Sequence, residues 1–338
     1  MKIFTNPNYN FVKWRWHAIA FSWVIILSGL FTIWQKGLPL GVEFEGGSTV
    51  IVKFDRDVDI QQVRSALDRT MPGAGQNSIV QRYGAAETHQ VMVRVPNVGA
   101  ESGTRLSEMA DRVVAALNQA GMGPIAPSCL SQGAVNCVSG TQIVGPIVGK
   151  QLTRQGTLAT VLALGGILLY VAMRFQLSFA VGAVVATVHD LLVTLAFLAF
   201  FRYDLSLNVI AAILTITGYS VNDTIVIFDR VRENMRGMRR DNIEHIVNVA
   251  VNQTLGRTVL TAGTTLMSVI ALFLFGGEVL HGFAFTMLVG VIVGTYSSVF
   301  IAAAIVIIWQ GKRPMKGQSA AAATAPATPR KPNRRRAS

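Results

Sequence analysis

The sequence predicts a polytopic α-helical membrane protein with six transmembrane helices and one α+β ferredoxin-like domain between helices 1 and 2. Three observations carry that prediction. Of 338 residues, 51% are hydrophobic and 14% charged, against roughly 25% charged in an ordinary soluble protein. Apolar runs of spanning length recur six times. One long segment breaks the series with mixed, β-rich patterning.

In chain order, residues 1–16 form a basic N-terminal segment, and the first span covers about 17–34. Lys2, Lys13 and Arg15 precede it as they would a signal peptide, but the run is long and no small-x-small cleavage site follows, so it is expected to remain as a span. Residues 35–150 are the soluble domain. Ser48 to Phe54 reads as a strand, and Ile60, Val63 and Leu67 give a helical stripe ended by Pro72 and Gly73. Strands at Ser78 to Tyr83 and Gln90 to Val95 follow. A second helix carries Leu106, Met109, Val113 and Leu117 on one face and stops at Gly121; a weak last strand lies near Ala134 to Val138. This is the split βαβ order, whose helices cover one sheet face and leave the other free for a partner. Cys129 and Cys137 fall in this domain; they form a disulfide if it faces an oxidising compartment and are two free thiols otherwise.

Residues 151–309 carry spans two to six, at about 156–173, 178–201, 205–228, 258–276 and 283–309. Gly165, Gly166, Gly290 and Gly294 permit close helix contact. Residues 310–338 lack periodicity, end in Arg334, Arg335 and Arg336, and read as a disordered basic tail that anchors by the positive-inside rule or attracts anionic lipid head groups or RNA. The formal net charge of +12 is thus explained by clusters beside apolar runs, and no nucleic-acid partner is expected.

Lys and Arg counts set the orientation. One side receives the N-terminus, Arg174, the group Arg230, Arg232, Arg236, Arg239 and Arg240, and the tail; the other receives Arg202 with Asp204, and Glu278. Both termini are therefore expected in the cytoplasm, with the soluble domain in the periplasm of a Gram-negative cell.

Ionisable groups at membrane depth are costly and mark functional pathways by default. Asp190, preceded by His189, lies near the middle of span three. Asp223, preceded by Asn222, lies in span four, and Arg257 opens span five. Asp223 reads as a proton-transfer group, a structural hydrogen bond being the plainer alternative. Arg257 either snorkels to the interface or turns inward to pair with Asp223. His189 points about 100° from Asp190 around the helix, which favours a packed neutral ring over a relay partner. Gly145, Gly149 and Lys150 fail the phosphate-loop spacing, and no metal-ligand set or catalytic triad is present. The chain is expected to be no enzyme, to hold no cofactor, and to be driven by an ion gradient or a partner.

The run Gly218-Tyr219-Ser220-Val221-Asn222-Asp223-Thr224-Ile225-Val226-Ile227-Phe228-Asp229-Arg230-Val231-Arg232-Glu233-Asn234 resembles the signature of the SecD and SecF family of protein-export membrane proteins. Similar matches run in order at Gly41 to Gly47, His189-Asp190, Asn252-Gln253-Thr254-Leu255, Arg257-Thr258, Gly263-Thr264-Thr265-Leu266 and Phe275-Gly276-Gly277. The family more often has Asp, Thr and Thr where this chain has Glu43, Glu45 and Ser48, so Gly41 to Gly47 is taken as a domain-opening turn only. One small soluble domain and six spans resemble the smaller subunit of the family. The resemblance implies half of a proton-driven machine of the resistance-nodulation-division superfamily, in a bacterial inner membrane. It implies pairing with SecD, assistance to the SecYEG channel, a preprotein substrate pushed first by SecA, protons as the coupling ion, and Asp223, Arg257 and Asp190 as the proton relay with Asn222 and His189 in support. The alternatives are half of an efflux or lipid transporter of that superfamily, and an adaptor whose intramembrane Asp residues are structural.

Overall fold

The computed structural model describes residues 8–70, 78–83, 88–96, 103–130 and 135–311. The basic tail and the Pro72-Gly73 helix stop lie outside these residues. Six helices are long and apolar enough to cross a membrane. A 3₁₀ turn, Val12–Trp14, leads into α1, Arg15–Lys36, the first span. The domain then runs α2 (Val42–Glu45), β1 (Gly47–Lys53), α3 (Ile60–Thr70), β2 (Ile79–Tyr83), β3 (Gln90–Pro96), α4 (Gly103–Gln119), β4 (Ile125–Ala126) and β5 (Asn136–Val144).

The sheet order is β2-β3-β1-β5-β4, with β1 antiparallel to both β3 and β5. A central first strand between β3 and β5 is what the split βαβ pattern requires. Val50, Val52, Val91, Val93 and Val95 on one face pack against Val63 and Leu67 of α3 and Val113 and Leu117 of α4. The last strand is longer than the sequence suggests. Ser139, Gly140 and Thr141 weaken its pattern, and the register slips between Ile51 and Val52 opposite them. Cys129 and Cys137 form a disulfide that ties the preceding segment to β5.

The second face is not simply free, because Thr49, Met92 and Arg94 on it are buried. Arg94 leaves β3 toward the spans: one guanidinium nitrogen donates to Leu40 O at 2.8 Å and the other to Asp204 at 2.6 Å. Beside it, Leu40 and Leu205 form a parallel bridge, Gly41 N donates to Leu205 O and Leu205 N donates to Pro39 O, both at 2.8 Å. Burial pushes the Asp204 carboxyl above its usual range, with Arg94 pulling against that shift. Desolvation therefore outweighs attraction in this pair.

The remaining spans are α5 (Pro146–Arg174), α6 (Leu177–Phe201), α7 (Leu207–Gly237), α8 (Ile243–Phe275) and α9 (Gly277–Ser297), which continues through a π-helical turn, Ser298–Ala302, into α10 (Ala303–Gly311). Ser206 caps α7 and Asn242 caps α8 through their side-chain oxygens. With 31 and 33 residues, α7 and α8 are about 46 and 50 Å long, well beyond a hydrocarbon core of about 30 Å. The arginine-rich segment that hydropathy reads as a loop is mostly helix. Arg230, Arg232 and Arg236 ride on α7, and Arg257 lies well inside α8 rather than at its start. Buried Val231, Ile246, Val247, Ala250 and Val251 hold these extensions together, while Arg230–Glu233 and Arg232–Asp229 pair along α7. Hydropathy misses them because only one face is apolar.

Gly29 of α1 packs on Ala196 of α6, and Gly290 and Gly294 of α9 pack on Ile216 and Ser220 of α7. Gly165 and Gly166 of α5 have nothing within 4 Å of where a Cβ would sit. At the end of the bundle away from the domain, the N-terminal strap is held to α8. Asn252 and Asn248 accept from the amides of Tyr9 and Phe11, both at 2.9 Å, and both donate back to Tyr9 O. Arg15 pairs with Glu244 at 2.7 Å.

Candidate functional site

Ser220, Asp223 and Thr224 are three and four residues apart on α7 and so share its buried face. That face meets α6, α8 and the α9–π junction at two carboxylates. Asp190 of α6, 3% exposed, accepts a hydrogen bond from the Ser220 hydroxyl. His189 Nδ1 stands 3.0 Å from its other oxygen, and Ser297, whose hydroxyl donates to Gly294 O, lies nearby. Asp223, 9% exposed, accepts from Thr258 Oγ1 of α8 at 2.7 Å. Ser298 lies beside it and shares a 3.0 Å hydrogen bond with Thr224. The second oxygen of Asp223 is buried without a protein partner.

The π turn starts at Ser298. Of two consecutive hydroxyls, Ser297 lies near Asp190 and Ser298 near Asp223, both donating to Gly294 O. Such widened turns recur at functional sites. The structure thus joins the two carboxylates, on the consecutive helices α6 and α7, in one hydroxyl-lined cluster completed by Thr258 of α8.

The other sequence candidates fall differently. His189 does meet Asp190 despite the 100° offset, because Nδ1 lies close to the ring's attachment and folds sideways onto the neighbouring carboxylate. Its Nε2 is buried without a partner, with the Tyr296 ring 6.3 Å away. Tyr296 in turn donates to Ala18 O at 2.7 Å and accepts from Ser22 at 3.3 Å. Arg257 does not pair with Asp223. It is exposed on α8, close enough to act on Asp223 through its charge, and the next residue, Thr258, makes the buried bond. A short hydroxyl fits the helix interface where a guanidinium would need desolvation. Asn222 is also exposed, on the outer face of α7. Thr215, Gly218 and Asn222 of α7, with Arg257, Thr261 and Thr264 of α8, give the neighbouring helices an outer surface more polar than lipid favours. Sequence reasoning assigned no part to Ser220, Thr258, Ser297 or Ser298. The three-residue spacing of Ser220 and Asp223 was the available signal.

Chemically, the cluster offers two proton-accepting carboxylates and hydroxyls that both donate and accept. Family comparisons place the chain. The model described as protein export membrane protein SecD/SecF, C-terminal, matches residues 132–312, and the SecD/SecF GG motif matches residues 31–58. A relative from Koribacter versatilis, named protein translocase subunit SecF, is 34% identical, covering 96% of this chain and 98% of its own. One of the same name from Vibrio alginolyticus is 40% identical over 88% of each. Among solved structures, the crystal structure of SecDF, a translocon-associated membrane protein from Thermus thermophilus, aligns with a TM-score of 0.77 at 31% identity. That match covers 90% of this chain, which spans 39% of the SecDF chain. A family model over more than half the sequence, and relatives above 30% identity over most of it, agree with the fold and with the motif around Asp223: the chain belongs to the SecD/SecF family of protein-export membrane proteins.

Proposed function

We propose that this chain is the SecF-type subunit of a protein translocase, and that it couples preprotein export to the proton gradient through Asp223 and Asp190. The observation that carries the coupling is the hydroxyl-lined pair of buried carboxylates, which has no counterpart elsewhere among the described spans. Asp223 takes and gives up the proton at its unpartnered oxygen. Thr258 holds the other oxygen, and Ser298 with Thr224 links that site to the turn whose Ser297 faces Asp190. Arg257 acts from the periphery: its distance to Asp223 sets how strongly the carboxylate holds a proton. One charge moved through 100 mV is worth about 2.3 kcal/mol, enough to bias a two-state helix rearrangement more than tenfold.

Pairing with SecD is supported by the Thermus relative, in which a segment of this kind is part of one longer SecDF chain. The polar outer surface of α7 and α8 is a fitting place for that partner. SecYEG, the preprotein and, indirectly, SecA enter through the family. The inner-membrane orientation, with the domain outside, is supported by the arginine distribution and by the disulfide, a bond favoured in oxidising compartments. The test is Asp223→Asn in vesicles with the partner subunit and channel. Assembly is expected to persist while the gradient dependence of late export is lost. Full gradient-dependent export by the variant would refute the carrier assignment and turn attention to Asp190.

A further inference from the structure

Chain connectivity ties the domain to the bundle twice, through α1 and α5. Neither tether reaches the carboxylates directly. Gly165 and Gly166 of α5 face open space, and α1 leans on α6 through Gly29 and Ala196 and bonds Tyr296, beside His189, through Ala18 and Ser22 without touching either carboxylate. A third attachment is not covalent. The five residues 202–206 connect α6, which carries Asp190, to α7, which carries Ser220 and Asp223. This loop is bonded on both sides of Leu205 to Pro39 and Gly41, Arg202 reaches Lys36 O at 3.3 Å, and Arg94 of β3 grips Leu40 O and Asp204 together.

The fork is specific to arginine, whose planar guanidinium holds two acceptors on separate segments in fixed relation. Stability alone does not account for it. Arg94 is 5% exposed and its Nε is buried without a partner, and an apolar contact would fill such a site at less cost. The helices on either side of the loop are also unbroken. Asp190 lies 11 residues from the end of α6 and Ser220 lies 13 from the start of α7, about 16 and 20 Å of rigid helix, so a shift of either helix arrives at residues 202–206 undiminished.

We propose that this joint, with Arg94 as its fork and Asp204 as its anchor, transmits the movement of α6 and α7 to the sheet of the domain. The proposal rests on the proton-coupled reading of the carboxylate cluster. Arg94 and Asp204 are positioning residues: they touch neither proton nor preprotein, and they convert helix displacement into domain displacement.

The full chain, with its partner subunit and channel in proteoliposomes, provides the test. Arg94→Met is expected to leave dye-monitored proton flux intact, to abolish gradient-stimulated export, and to raise hydrogen–deuterium exchange at the amides of Gly41 and Leu205 by about tenfold or more. Asp204→Ala, a loop change that leaves the sheet untouched, should do the same and covers the case in which Arg94→Met folds poorly. Unchanged export with either variant overturns the proposal. So does loss of proton flux with unchanged exchange, which would place Arg94 in the proton path itself. Failure of the carboxylate reading looks different: Asp223→Asn would then keep its proton flux, while the exchange measurement would still score the joint.

Discussion

Thr258 meets Asp223 across a helix interface at 2.7 Å, and Thr258→Val keeps the shape while removing the donor. The carboxyl group loses its only bonded partner at that oxygen, so the variant should lose about 1–3 kcal/mol of stability, read as a lower unfolding temperature in detergent; Thr258→Ser should retain most of it. Asp204 gives a second expectation with a defined sign. Its folded carboxyl sits above the usual 3.8 because of burial, so as pH rises the unfolded chain gives up this proton first. The stabilisation contributed by this group therefore falls as pH climbs from the ordinary carboxylate value to the folded one, and stays level above it. Asp204→Asn should flatten the stability–pH curve in that window, and an unchanged curve would contradict the assignment. At this scale the sequence was informative about charge and silent about partners. Asp190 and Asp223 stood out as carboxylates in apolar runs, whereas Thr258, Ser297 and Ser298 look like ordinary helix hydroxyls. Only the packing of α7 against α6, α8 and α9 shows which of them face a carboxylate.

Two glycine sites that look alike in the sequence separate cleanly once the helices are packed. A side chain at Gly294 would come within 2.9 Å of Ser220 Cβ, so Gly294→Leu should force α9 from α7, break the Ser220–Asp190 bond and cost about 1–3 kcal/mol by overpacking. Gly165→Leu meets nothing and should be tolerated; thermal stability of the two purified variants decides. The turn Ser298–Ala302 yields a comparable test. A π turn absorbs one extra residue within an α-helix, so deleting one residue of it should let the helix run on in regular phase with Ala303, Val306 and Ile307 still in the core they share with Phe179 and Phe228. The purified deletion variant should keep most of its thermal stability, and a collapse of the unfolding temperature would contradict this reading. Six spans and the order of strands were legible because apolar length and period-two patterning are local properties. The true lengths of α7 and α8 were not, since their continuation depends on one buried face and on ion pairs that an average over all residues hides.

For the molecule as a whole, reporter fusions after Ser102 and Glu278 should signal the outer side, and fusions after Arg240 and Lys316 the cytoplasm; a cytoplasmic signal at Ser102 would reverse the orientation. The overall plan was readable from sequence, but the contacts that join distant segments, Arg94 to Asp204 and Tyr9 to Asn252, were invisible because nothing local marks them. Those long separations set an order of events during synthesis. Tyr9 is held by Asn252, 243 residues further on, and Tyr296, which caps Ala18 O and receives Ser22, is 278 and 274 residues beyond them. At about 5–20 residues per second, the N-terminal half of the first span waits roughly 12–60 s before the groups that will hydrogen-bond to it exist. Through that interval α1 can lean on α6 through Gly29 and Ala196 but lacks the hydrogen bonds at its N-terminal half, and a ribosome stalled between Ala196 and Asn252 leaves a front end packed but not yet locked.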